Sequence, residues 1–542
     1  MAKRYLVRMT SLCALVLFLA PDFVNVATEV GLPDEASGRM VFVDLNGDGK
    51  LDIVQNRTHF LHQVDGKFVA GPQLPYVPTL VLFADFDNDG DQDCFAGETC
   101  EPEKKDWKDH GRSNALFLND GGGKWSSTPL SMPRTALHAA TVLDFDRDGR
   151  LDLFIGNGYR QYGASLECYV DRLYRRKKDG SYEDATKRMG LLTVREPGGW
   201  DASKPTYGIT HGDFNGDGWQ DLWVATYGRQ RNSLWINHAA KHFSNIAPRI
   251  AFDGDSDTTG AYPARTKEFF KKRYGTERAD ELPFRANGNT FDCAIADFDN
   301  DGDMDCILAE ITHAWAGPSS DRTSLLVNDA GHFRRVVDAF AREHAVPGWN
   351  QGDIHCGWID FDNDGLQDAL IASSDYPDKQ ELKLYRQKPD HTFEMARTFD
   401  WEGAGQISVG DYDNDGDLDI LCGRSLNRLP KERRQALGKR PALFRNDVVN
   451  GNNWLQIVLR GEATNRDGIG CRIRVTTSDG VVQTREIRGG HGHAGHNNPY
   501  VAHFGLGEHT KATRVEVQWQ DEAGEPQVLE GVKAGQRLVV RQ

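Results

Sequence analysis

Asp85-Phe86-Asp87-Asn88-Asp89-Gly90-Asp91-Gln92-Asp93 is one copy of a nine-residue pattern, D-x-[DN]-x-D-G-x-x-D, that occurs seven times in this chain. The copies begin at Asp44, Asp85, Asp144, Asp213, Asp297, Asp360 and Asp411, so their starts lie 41, 59, 69, 84, 63 and 51 residues apart. A recurrence on that scale marks a repeat architecture in which each repeat is one supersecondary unit. Position 2 is always apolar (Leu45, Phe86, Phe145, Phe214, Phe298, Phe361, Tyr412), and a short apolar run such as Leu153-Phe154-Ile155 follows position 9. In most copies a second pair of strand-like runs follows around a turn, as in Leu116-Phe117-Leu118-Asn119 before Lys124-Trp125. The unit is therefore four short strands, with the acidic loop joining the first two. One such unit cannot bury both faces, whereas radial stacking can. The predicted fold is all-β, a seven-bladed β-propeller followed by a small C-terminal β domain.

The ends of the array agree with this reading. The seventh copy has Leu443-Phe444-Arg445-Asn446 but no fourth strand of its own. Phe23-Val24-Asn25-Val26-Ala27-Thr28, ahead of the first loop, supplies a strand that would complete the last blade and close the ring. The propeller is expected over 21–448. Residues 449–542 form the β domain, with alternation in Gln456-Ile457-Val458-Leu459, Arg472-Ile473-Arg474-Val475 and Arg514 to Trp519.

Calcium takes six to eight oxygens in a flexible shell, and the pattern supplies them. Side-chain oxygens come from position 1 (Asp44, Asp85, Asp144, Asp213, Asp297, Asp360, Asp411), position 3 (Asn46, Asp87, Asp146, Asn215, Asp299, Asp362, Asp413), position 5 (Asp48, Asp89, Asp148, Asp217, Asp301, Asp364, Asp415) and position 9 (Asp52, Asp93, Asp152, Asp221, Asp305, Asp368, Asp419). Position 7 varies freely (Lys50, Asp91, Arg150, Trp219, Asp303, Leu366, Asp417), which suits a backbone-carbonyl ligand. Position 6 is always glycine, as a sharp turn with φ > 0 requires. An EF-hand would need an acidic residue at position 12 and flanking helices. Here position 12 holds Gln55, Ala96, Ile155, Val224, Leu308, Ile371 and Cys422, and the flanks are strand-like. Asp-Gly turns can also cap hairpins without metal, but 26 carboxylates in seven ligand sets would repel strongly if left unneutralised. Up to seven structural calcium ions are expected. The first and fourth loops, each with one carboxylate fewer, should be the weaker sites.

Composition bounds the rest. Asp and Glu total 80 against 64 Lys and Arg, a net charge of −16, which argues against a nucleic-acid partner. Lys3, Arg4 and Arg8 precede the apolar run Met9 to Ala20, which is too short to span a bilayer and reads as an export signal over 1–20. The main rival is an uncleaved anchor, and no later stretch could form a membrane helix. Export to the extracellular space, cell surface or periplasm is expected. Of the nine cysteines Cys13 falls within the export signal; the other eight show no metal-binding spacing and read as small buried hydrophobes, with a local Cys94–Cys100 disulfide as the alternative.

The loops, with their following L-x-x-N and aromatic strands, resemble FG-GAP (VCBS) repeats, the blades of integrin α-subunit propellers. Asn453-Trp454-Leu455, Asn465-Arg466-Asp467-Gly468-Ile469-Gly470, Arg488-Gly489-Gly490 and His503-Phe504-Gly505-Leu506-Gly507 resemble the ASPIC/UnbV domain. Together they are similar to the cartilage acidic protein family and its bacterial relatives. The resemblance implies a secreted calcium-binding protein of the adhesion or ligand-binding kind, non-enzymatic, with an extracellular protein or glycan as partner.

The long insertions 97–113, 157–172, 248–290 and 423–441 follow second or fourth strands and so lie across the ring from the acidic loops. They bring Trp107, Tyr159, Tyr162 and Tyr262, a segment 265–275 read as an amphipathic helix with Phe269 and Phe270 inward, and the basic run Lys431 to Arg440. Aromatics on loops over a rigid scaffold suit ligand contact; the alternative is that they pack on one another and cap the channel. A polysaccharide-acting enzyme, lyase-like, would use the same face, with Glu310, His313, Asp353 and His355 as acid–base groups at the channel mouth. His491, His493 and His496, in a glycine-rich turn, read either as a transition-metal cluster or as a solvated loop.

Overall fold

The computed structural model describes residues 23–542 except 36, 105–106, 163–165, 193–202, 278, 281–286, 313–319, 343–350, 375–380, 428 and 522–523. The export segment and His313 lie outside the described residues.

Each acidic loop joins the first two strands of a four-stranded antiparallel unit. The first unit runs Met40–Val43, Asp52–Gln55, His59–Val64 and Lys67–Gln73. The next five open on Leu80–Ala84, Leu137–Leu143, Thr206–Gly212, Thr290–Ala296 and Gln351–Ile359. The last combines Ala404–Gly410, Asp419–Arg424 and Ala442–Asn446 with the N-terminal strand Phe23–Asn25, in which Phe23 faces Asn446 and Asn25 faces Phe444.

Burial explains the radial order. First strands such as Leu80–Ala84 and Thr290–Ala296 are buried on both faces, while the outer strand Trp125–Pro129 is largely exposed. First strands pack side by side from the second unit to the seventh, and Met40–Val43 of the first meets Ala404–Gly410 of the last. Between units the sheets bury apolar layers, such as Val41, Phe60, Phe83 and Phe117 between the first two. Burying side chains of this size stabilises by about 1.5–3 kcal/mol each.

The C-terminal domain pairs two sheets. In one, Asn453–Arg460 lies between Val501–Gly507 and, in parallel, Gln536–Arg541. The other is ordered Val482–Glu486, Arg472–Thr476, Lys511–Gln518, Gln527–Lys533. Its core, with Leu455, Ile473, Phe504 and Val517, runs without a break into Leu82, Val142 and Leu153 of the second and third blades.

This domain sits on the acidic-loop face and sends a hairpin, residues 488–500, down the central channel. Gly489 bridges Val142, and Thr141 donates to the Gly490 carbonyl (2.9 Å). Near the tip Gly492 N–H donates to Ile209 O (3.0 Å) and Ala494 N–H to His138 O (2.9 Å). On the return leg Asn497 exchanges two hydrogen bonds with the Phe83 backbone, and Asn498 accepts from Val409 N–H. The turn, read as either a metal cluster or a solvated loop, is thus largely buried, because first strands such as Leu80–Ala84, Leu137–Leu143, Thr206–Gly212 and Ala404–Gly410 offer groups that the hairpin satisfies.

One smaller expectation changes. Phe269, on the helix Ala264–Tyr274, is 57% exposed rather than inward, since this helix lies on the surface and buries Thr266 instead. Cys94 and Cys100 are buried free thiols, in keeping with their reading as small buried hydrophobes rather than as a disulfide.

Candidate metal loops and the channel face

The nine-residue loops owe their shape to their own backbone hydrogen bonds. The position-1 carboxylate of Asp85 accepts from Asp89 N–H (3.0 Å) and Gly90 N–H (2.8 Å). Asp44, Asp144, Asp213 and Asp411 do the same in their loops. The position-5 carboxylate accepts from position 7, as Asp89 does from Asp91 N–H (3.0 Å). The position-9 carboxylate closes the loop onto the sheet: Asp93 accepts from Phe86 N–H (2.9 Å) and from Asn119 N–H on the third strand (2.8 Å). The glycines at position 6 have φ between 79° and 111°. Position 4 is left-handed too (Gly47, Asn88, Arg147, Gly216, Asn300, Asn363, Asn414), and all but Arg147 are residue types that tolerate this region. That signal stood in the sequence and was missed.

The carboxylates at positions 1, 3 and 9 converge. In the Asp85, Asp144, Asp297 and Asp360 loops these three offer oxygens within 4.8 Å of one another. Several oxygens are buried with no hydrogen-bond donor: Asp146 Oδ1, Asp297 Oδ2, Asp299 Oδ1, Asp360 Oδ1 and Asp362 Oδ1. Burial, reinforced by neighbouring carboxylates, pushes Asp85 up to about 8, Asp93 and Asp144 to about 7, and Asp305 to about 9. Asp152, Asp221, Asp368 and Asp419 are raised well above the usual range, again chiefly by desolvation. A hard cation with oxygen preference would satisfy such a donor set. In several loops a guanidinium already leans on the carboxylates: Arg175 on Asp146 and Asp148, Arg386 on Asp362 and Asp364, Arg472 on Asp213, and Arg537 on Asp411.

A second set of residues joins blade to blade. The third-strand residue whose N–H meets the position-9 carboxylate also reaches back with its side chain to the position-2 carbonyl of the preceding loop. Asn119 donates to Leu45 O (2.7 Å), Asn237 to Phe145 O (2.9 Å), Gln387 to Phe298 O (2.9 Å), and Asn446 to Phe361 O (2.7 Å). Arg176 plays the part toward Phe86 O, and Gln63 donates to Tyr412 O (2.7 Å), joining the first blade to the last.

The C-terminal domain covers these loops. Asp467 accepts from Asp85 N–H and from the Gln92 amide (both 2.7 Å). Arg472 donates to Asp213 O, Gly505 N–H to Asp360, Gln456 to Asp411, and Arg537 to Gly49 O.

On the opposite face Trp107 is half-buried, and Tyr162 is 52% exposed. Tyr159 is buried against Tyr162 and Tyr227, and Tyr262 is buried beside Arg229. Tyr159 and Tyr162 therefore pack on one another and on Tyr227. His355 is not at the channel mouth but buried within it, facing His496 of the hairpin, because its strand lines the channel. Asp353 is held by Arg342 (2.6 Å), Ser373 and Thr323, and the guanidinium and hydroxyls lower it to about 2 despite burial. Glu310 is fully buried, accepts from Thr290 (2.7 Å), and is pushed well upward by desolvation.

Residues 461–542 match the ASPIC and UnbV family, and residues 85–155 and 360–422 match the FG-GAP-like repeat. Cartilage acidic protein 1 of Mus musculus is 28% identical over 240 residues, 42% of this chain and 33% of the mouse protein, so the match spans about a third of that relative. Among solved structures, the RRP9 WD40 repeats superpose with a TM-score of 0.42 at 8% identity, covering 79% of this chain and 99% of that one. A Lactobacillus plantarum protein does so with a TM-score of 0.39 at 11% identity, covering 82% and 98%. Among the described residues no helix is long and apolar enough to cross a membrane.

Proposed function

We propose that this chain, which carries FG-GAP-like repeats joined to an ASPIC/UnbV domain, is an exported, calcium-clamped binding module whose ligand is an extracellular protein or glycan. The observation that carries the reading is the set of buried carboxylate oxygens without donors in the acidic loops. Leaving them so is costly, and bound calcium would supply the missing positive charge. The loops would hold it with positions 1, 3, 5 and 9. Position 9 would couple each ion to the third strand, and that strand's side chain to the preceding blade. Calcium would thus brace the ring rather than perform chemistry.

With the acidic-loop face covered by the C-terminal domain, the insertion face is the surface assigned to a partner in this reading. Exposed Tyr162 and Phe269 are the anchors proposed there. Burial of His355, and the locking of Asp353 by Arg342, favour this reading over the polysaccharide-acting enzyme.

The test is a glycan and protein array probed with the calcium-loaded and calcium-depleted chain, beside a turnover assay on acidic polysaccharides. Calcium-dependent binding that is weakened by Tyr162→Ala or Phe269→Ala, with no product formed, supports the module. Turnover lost in His355→Ala would sink it. Chelation should also lower Tm, since each site filled at 100 times its Kd stabilises by about 2.7 kcal/mol; an unchanged Tm contradicts structural calcium.

A further inference from the structure

The hairpin brings together groups that the acidic loops do not use. His491 and His496 face each other across it, His491 N–H donating to His496 O (2.8 Å) and His496 N–H to His491 O (3.0 Å). Directly opposed residues of an antiparallel pair project to the same side, and the two imidazole centroids lie 3.9 Å apart. The turn between them holds because Gly492, Ala494 and Gly495 all take positive φ.

The first strands of the fifth and sixth blades face this pair with Asp292 and His355. Asp292 Oδ1 lies 3.4 Å from His491 Nδ1, and donor atoms of Asp292, His491 and His496 all fall within 4.8 Å of one another. His355 Nδ1 is 4.0 Å from Asp292 Oδ2, and its ring is 5.9 Å from that of His496. A side chain at position 492 would exclude the carboxylate, since a Cβ there would stand 2.7 Å from either Asp292 oxygen.

His496 is fully buried, and neither of its ring nitrogens has a hydrogen-bond partner; His355 Nδ1 has none either. Arg39 is the nearby cation, but it donates to the His493 carbonyl oxygen (2.8 Å). A neutral imidazole can use one nitrogen as a donor and the other as a ligand; in His496 both are idle. Two imidazoles with a carboxylate suit a borderline divalent ion, whereas calcium would leave the nitrogens unused.

We infer that Asp292, His491 and His496, with His355 within reach as a fourth donor, form a transition-metal site of the zinc class inside the propeller channel. Tetrahedral zinc at about 2.0–2.1 Å from each donor sets them roughly 3.4 Å apart, so small rotations of the rings complete the set. Burial keeps His355 and His496 well below the ordinary imidazole range, in the neutral form a metal requires. The ion would pin the hairpin to two blades, and it would enter as the hairpin seats. This assignment does not depend on the calcium reading.

The full-length chain is refolded in saturating calcium with zinc or cobalt(II), desalted, and its metal content measured. One equivalent of zinc per chain should be retained, with calcium content unchanged. Asp292→Asn and His496→Ala should each weaken zinc at least tenfold, the lower end of the ~10–100-fold loss that even outer-shell changes cause. The cobalt-loaded wild-type chain should show the intense visible bands of four-coordinate, nitrogen-ligated cobalt. Zinc content no higher than in the His491→Ala, His496→Ala double variant overturns the assignment. Should that variant fail to fold, the wild-type spectrum decides alone, and weak six-coordinate bands overturn it equally.

Discussion

At the scale of single residues, the blade-joining amides carry more than their size suggests. Asn237 donates to Phe145 O and accepts from Ala240 N–H, while its own N–H serves Asp221. Asn237→Ala leaves a buried carbonyl without its donor and should cost about 1–3 kcal/mol, measured by denaturant unfolding in saturating calcium. Arg386 acts in the opposite sense in its loop, contributing positive charge where a cation would sit. Arg386→Met should tighten calcium binding and lower the stability of the calcium-depleted chain, as calorimetric titration and melting would show.

The loop carboxylates also fix a pH dependence for the depleted protein. Asp85 is raised to about 8 and Asp93, Asp144 and Asp417 to about 7, first by desolvation. Between about pH 6.5 and 8 the folded chain holds protons that unfolded aspartates, with pKa about 3.9, have already lost. Stability must therefore fall as pH rises through that window. Below it, buried neutral histidines such as His211, lowered to about 4 by burial, push the other way. Melting of calcium-depleted protein at pH 6.5 and 8 should show the loss, and added calcium should abolish it.

At the scale of elements, the acidic loops were readable because the groups that shape each turn, and its candidate metal donors, lie within nine residues. The glycine at position 6 and the apolar residue at position 2 report the turn and its anchor directly. The channel hairpin was not readable. Its partners lie far off in sequence, Asn497 meeting Phe83 across 414 residues, and a glycine-rich turn has no periodicity to say which surface it enters. The segments resembling the ASPIC/UnbV domain turn out to be docking residues: Asp467 on the second loop, Gly489 against Val142, and Gly505 on Asp360. A Cβ at Gly489 would stand 2.1 Å from the Val142 carbonyl oxygen. Gly489→Ala should therefore destabilise by about 1–3 kcal/mol or more, visible as a lowered Tm of the whole chain.

At the scale of the molecule, one apolar core runs from the second and third blades into the C-terminal domain. The propeller and its cover should unfold in a single calorimetric transition. A chain ending at 448 would leave Thr141, His211 and Ser408 facing an open channel without the hairpin groups they now bond. It should melt lower than the full chain or aggregate. Two well-separated transitions in the intact protein would contradict this coupling.

The outer strand of the last blade, Phe23–Asn25, has a consequence in time rather than in space. It emerges first during synthesis, yet its partner Ala442–Asn446 is among the last propeller segments to be made. At about 5–20 residues per second, that partner arrives roughly 20–80 s later. Until then the leading strand has no place to go, and six blades accumulate beside an unfilled seam. The ring is sealed by an encounter between the first and last strands of the propeller, so a ribosome that stalls before residue 442 leaves a product that cannot close.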